Sequence, residues 1–215
     1  MKNKSSLTPI EEYISSYAPE FTFTQTETYD YEVLGVKVHV DVYEFSDERD
    51  HREKAHVLLS KNGLTCEFDC IESNRYDNMF CPVTLNGKTF LCHRKTLYGF
   101  SLLDPDSFVE YEYFPEKVMR GEESFIISSA VSFGDIIIFE GCYWAAPYIA
   151  FAYDHKNNKF LDLSEEYGFF SSDSVEVADE LLLIDTFNDK DESLKIRIEY
   201  KELCRCILEK GKCDF

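Results

Sequence analysis

Four side chains of this chain stand where covalent or acid–base chemistry would be sought: Cys142, His93, His51 and Asp77. A thiolate can attack, an imidazole can take up the proton and a carboxylate can orient or donate, provided that they come within hydrogen-bond reach. Cys142 and His93 fall at corresponding ends of β-runs in neighbouring repeats, and the separation of adjacent units works against a nucleophile–base pair. His51-Arg52-Glu53-Lys54-Ala55-His56 holds two histidines without the helical zinc spacing and its glutamate. Asp189-Lys190-Asp191-Glu192-Ser193 opens like a calcium loop but lacks the glycine of the sharp turn and the acidic twelfth residue. No phosphate loop, nucleophile elbow or paired-carboxylate signature is found.

The eight cysteines are Cys66, Cys70, Cys81, Cys92, Cys142, Cys204, Cys206 and Cys213. No apolar export segment is visible near the first residue, so the expectation is a cytoplasmic protein whose thiols are reduced and mostly buried. Neither Cys66/Cys70 nor Cys204/Cys206 has the paired-knuckle spacing of structural zinc, and no metal or cofactor is expected.

The net charge is −19, from 41 acidic and 22 basic residues. That balance argues against binding a phosphate backbone or an anionic membrane. Residues 162–192 contain eleven Asp/Glu and one Lys, interleaved with Tyr167, Phe169, Phe170 and Phe187. Such a segment is either a solvated, solubilising face or a surface for a basic protein partner. In the second case Glu165, Glu166, Asp173, Asp189 and Asp191 supply charge, and Tyr167, Phe169 and Phe170 supply apolar contact. The only Trp lies in the loop 141–147 beside Tyr143. Exposed, Tyr143 and Trp144 are hot-spot residues, while the competing placement has Trp144 plugging one end of the core.

The elements that must hold these residues are strands. Four groups of β-runs recur at a spacing of about 45 residues, in the range of propeller blades. The second run of each group is predicted at 36–44, 88–93, 135–140 and 180–185. Gly35, Gly87 and Gly134 precede three of them, where a tight hairpin needs positive φ, and the fourth group has Asp179-Glu180 there instead. Fourth runs are read at Leu64, Phe108, Lys159 and Leu203. One helix is expected, over 8–18, where Thr8-Pro9-Ile10-Glu11 has capping-box spacing and Pro19 stops it.

The fold class is therefore all-β: one domain over 1–215, with a frayed tail at 1–7, the helix, and four antiparallel meanders over 20–213. The expected arrangement is β-propeller-like, closed and four-bladed or an incomplete ring, with a β-sandwich as the alternative. The Gly-His and Trp-Asp marks of WD repeats and the double glycine of kelch repeats are absent. Long loops are expected at 46–54, 71–79, 115–124, 141–147, 164–173 and 187–193, on the rim where binding residues usually sit. The functional expectation is a non-catalytic protein-binding module, in one form an immunity- or inhibitor-like protein for a basic partner. The alternative is a small hydrolase or sugar-processing enzyme using the same rim. Oligomeric state is left open.

Overall fold

The structure is a computed structural model that describes residues 8–72, 76–144 and 146–213. The expected tail at 1–7 lies outside the described residues. The chain is mostly strand, in four antiparallel sheets. Its first element is α1 (Pro9–Ser15), where the Thr8 hydroxyl accepts from the Glu11 amide and the Glu11 carboxylate accepts from the Thr8 amide.

The first sheet has the order β1 (Thr24–Val33), β2 (Val36–Ser46), β3 (His51–Lys61) and β4 (Leu64–Ile71). Leu34-Gly35 and Asn62-Gly63 form two-residue turns with positive φ at both central positions, the geometry whose twist matches that of the flanking strands. β2 alternates with period two: Val36, Val38, Val40 and Val42 are buried and the residues between them are not. The second sheet has the order β5 (Cys81–Leu85), β6 (Lys88–His93), β7 (Phe100–Leu103) and β8 (Glu110–Tyr113), followed by α2 (Glu116–Met119). The third is β9 (Ile126–Phe133), β10 (Ile136–Cys142), β11 (Ile149–Asp154) and β12 (Lys159–Asp162). After α3 (Leu163–Tyr167), the last sheet has three strands, β13 (Ser171–Ala178), β14 (Leu181–Phe187) and β15 (Ser193–Glu199).

Contacts divide the chain into two compact units, 1–80 with 91–121, and 81–90 with 122–215. The first is built on the valines of β2 with Ala55, Val57 and Leu59 of β3, closed by Tyr76, Met79, Phe80, Leu91 and Leu103. The second packs Ile136, Ile138, Ala150 and Ala152 against Leu182, Ile184 and Ile198.

Two expectations are corrected. The run at Leu203 is not a fourth strand but part of α4 (Tyr200–Lys210), whose Leu203, Cys206 and Ile207 are buried at helical spacing. Its seven residues also alternate through Cys204, Cys206 and Leu208, which is why a short window reads as strand. The chain also has more than one helix. α3 lies inside the loop expected at 164–173, with Asp162 accepting from the Ser164 and Glu165 amides at its start and Gly168 left-handed at its end.

Candidate functional site

In the second unit, the connection from β10 to β11 carries Trp144 and Tyr148, 65% and 50% exposed, and the connection from α3 to β13 carries Phe170, 56% exposed. The two connections meet at the backbone, where the Ser172 amide donates to the Tyr148 carbonyl at 2.6 Å. Phe170 is fixed by its own amide, which donates to the Phe187 carbonyl at 2.8 Å. Trp144 therefore does not plug the core. That end of the sheet is filled instead by Phe125, which packs on Phe151 with ring centroids 4.6 Å apart.

The other aromatics point elsewhere. Phe169 is buried in the core with Leu163 and Leu182, and Tyr167 packs against the same cluster with its hydroxyl 3.9 Å from Cys206 Sγ. Tyr143 is half-buried, edge-on to Phe125 at 5.7 Å.

Part of the acid is paired. Lys210 Nζ lies 2.5 and 2.8 Å from the two Glu166 oxygens, and Lys212 Nζ lies 3.8 Å from Glu165. Asp185 meets Lys195 at 3.2 Å, and Asp162 is occupied at the start of α3. Asp173, Asp179, Asp189 and Asp191 are exposed with no cationic partner among the described residues. The calcium-like segment is a hairpin turn organised by Asn188, whose side chain accepts from the Lys190 and Glu192 amides. Glu165, Glu166, Lys210 and Lys212 also border a cleft of about 490 Å³, with Tyr143 and Phe151 on its wall.

His93 belongs to the first unit and Cys142 to the second. His93 is fully buried between Phe68 and Phe80, each 4.9 Å away by ring centroids. Its Nε2 is 2.9 Å from Glu110 Oε1, and its buried Nδ1 has no hydrogen-bond partner among the described residues. Lys95, 5% exposed, reaches Glu110 at 2.5 Å and Glu112 at 2.6 Å, with its ammonium 5.0 Å from the Phe68 ring centroid. Burial raises the Glu110 pKa, but the hydrogen bonds and charges of His93 and Lys95 outweigh it and hold the carboxyl down at about 2. Burial likewise lowers the Lys95 pKa, and the two glutamates more than reverse this and hold it above the ordinary lysine value.

His51 does not sit in a loop. β2 and β3 extend to Ser46 and His51, so the connection expected at 46–54 shrinks to 47–50. His51, Glu53 and Glu44 come together at the end of the hairpin, each with a ligand-type atom within 4.8 Å of the others. Asp77 is exposed in the 3-10 turn Tyr76–Asn78. It contributes with Glu53 to the field at Tyr29, whose hydroxyl donates to Glu27. That hydrogen bond, then desolvation and the surrounding carboxylates, push the phenol up to about 12.

Sequence reasoning missed Lys95, Glu110, Glu112, Glu44, Glu53 and Tyr148. Glu44, Glu53, Glu110 and Glu112 lie on strands, where charge reads as solvated surface until the register is known, whereas Lys95 and Tyr148 lie in connections whose course the sequence does not give. No protein-family model, curated protein or solved structure matches the chain.

Proposed function

We propose that the protein is a non-catalytic binding module for a basic protein partner, acting through the second unit. One observation carries this reading. Trp144, Tyr148 and Phe170 stand exposed on connections whose backbones are hydrogen-bonded together, in a segment whose carboxylates Asp173, Asp179, Asp189 and Asp191 lack cationic partners among the described residues. Exposed aromatics on fixed backbone supply buried contact at low entropic loss, and unpaired acid draws in a cationic surface. An immunity- or inhibitor-like role is the concrete form of the proposal. A cytoplasmic location and a β-propeller-like arrangement of the four meanders belong to the same reading. Small-angle scattering distinguishes one ring-like body from two separated ones.

A small hydrolase or sugar-processing enzyme is the second reading, favoured by a cleft of about 650 Å³ where Glu110 and Glu112 converge. Both carboxylates are engaged by Lys95 there, which suits a structural ion cluster better than an acid–base pair.

The test is capture from the native host at low ionic strength, comparing the wild-type chain with a Trp144→Ala/Phe170→Ala double variant. A basic protein bound saturably by the wild type, lost with the variant and weakened by salt is the expected result. Equal capture by both chains, or capture of acidic proteins only, overturns the proposal.

A further inference from the structure

The inward row of the first sheet turns from apolar to ionisable at one end. Along β2 the buried Val36, Val38, Val40 and Val42 are followed on the same face by Glu44, and along β3 the buried Leu59, Val57 and Ala55 are preceded by Glu53 and His51. Glu44 and Glu53 are direct cross-strand partners, and His51 is two residue pairs further along, opposite Ser46 and next on the same face. Two carboxylates directly opposed on one face repel each other unless a cation or proton lies between them.

Among the described residues, the neighbouring cations do not serve this pair. Arg52 and Lys54 alternate onto the other face, where Arg52 meets Asp50 at 3.0 Å and Lys54 Nζ stands 4.4 Å from the Phe23 ring centroid. Glu53 Oε1 is withdrawn from solvent and has no hydrogen-bond partner among the described residues. A shielded carboxylate oxygen without a donor, facing a second carboxylate and an imidazole, is an incomplete ligand set.

We propose that Glu44, His51 and Glu53 form a binding site for a first-row divalent transition-metal ion of the Zn²⁺ type. Their ligand atoms all lie within 4.8 Å of one another. An ion centred among three donors at that outer separation sits about 2.8 Å from each, so closure by about 0.7 Å reaches ordinary Zn–N and Zn–O distances. Rotation of exposed or half-buried side chains covers such a shift. One imidazole with two carboxylates favours such an ion over Ca²⁺ and Mg²⁺, which take oxygen ligands and, for Ca²⁺, more of them. Three protein ligands leave a position for water. The ion would neutralise the opposed glutamates and tie together the ends of β2 and β3.

The experiment titrates Zn²⁺ into the full chain, kept reduced, by calorimetry, for the wild type, His51→Ala, Glu53→Gln and the control His39→Ala. Co²⁺ absorption then reports the ligand type. One site in the wild type and the control, weakened at least about tenfold in both site variants, is expected, since loss of even an outer-shell partner of a metal ligand typically costs about 10–100-fold in affinity and these variants remove a ligand itself. The Co²⁺ spectrum should lack an intense thiolate charge-transfer band. His51 is exposed, so its variant folds and keeps the test decisive even if Glu53→Gln does not. No Zn²⁺ binding by the wild type, equal affinity in His51→Ala, or a thiolate band assigning the metal to the cysteines overturns the proposal.

Discussion

Lys95 Nζ lies 2.5 Å from Glu110 Oε2, an ion pair between two side chains largely withdrawn from water. Removing one partner of such a pair strands the other charge in a poorly solvated site, which typically costs about 3–5 kcal/mol. Lys95→Met should therefore lower unfolding stability by an amount in that range, measured by urea denaturation at neutral pH. It should be worse than the Lys95→Met/Glu110→Leu/Glu112→Leu triple variant, in which neither the lysine nor a glutamate is left as an unpaired charge, although His93 loses its Glu110 partner.

The same pair fixes a pH dependence. Glu110 is held at about 2 against a reference of 4.5, so its contribution is present above pH 4.5 and is lost as pH falls towards 2. Each tenfold change in proton affinity is worth about 1.4 kcal/mol, so that contribution is on the order of a few kcal/mol. Lys95 is shifted upward, so its contribution is present below its unfolded value and is lost only at strongly alkaline pH. The fall in stability between pH 4.5 and 2 should be smaller in Glu110→Gln than in the wild type; equal slopes would show that other carboxylates govern acid unfolding.

A third expectation concerns Gly141. It sits at the bulge where the pairing of β10 with β9 shifts register, and an added methyl would collide with the Ile126 carbonyl and the Phe125 ring. The obstacle is partly backbone, so it does not rotate away. Gly141→Ala should destabilise the chain by about 1–3 kcal/mol, the usual range for overpacking. A melting temperature equal to the wild type would mean that the bulge relaxes.

Thiol reactivity should follow burial. Cys213 is exposed, whereas Cys70 is buried and its pKa is raised by that burial. Brief alkylation of the native protein, read by peptide mass spectrometry, should label Cys213 first and Cys70 only after denaturation. Early labelling of Cys70 would mean that β4 opens readily.

The second strands were legible because each is an apolar β-rich run and, at three of the four, a glycine turn before it is a second, independent signal. α4 was not, because seven residues rich in Cys, Leu and Ile satisfy both a period of two and a period of 3.6. α3 carried readable signals in Asp162 and Gly168, which were outweighed by the acid around them. The site at the end of β2 and β3 depends on Glu44 facing Glu53, a register that the connection 47–50 does not announce because it contains no glycine. Exposure of Trp144 was open on composition alone. It follows from Phe125 already occupying the position beside Phe151.

Charge reversal tests the acidic segment residue by residue. Glu165 and Glu166 are partnered by Lys212 and Lys210, so reversing them places like charges together between α3 and the end of α4 and should weaken the fold locally. Asp173, Asp179 and Asp189 have no such partner among the described residues, and the field they project remains available to an approaching cation. An Asp173→Lys/Asp189→Lys variant, which spares Asp179 because its positive φ disfavours lysine, should keep the wild-type melting temperature while associating with a captured basic partner about tenfold more slowly at low ionic strength. Dissociation should change less, because Trp144 and Phe170 are untouched, and the difference between the chains should shrink as salt rises. Stopped-flow association at two salt concentrations separates these effects. An unchanged association rate at low salt would show that the acid serves solubility alone.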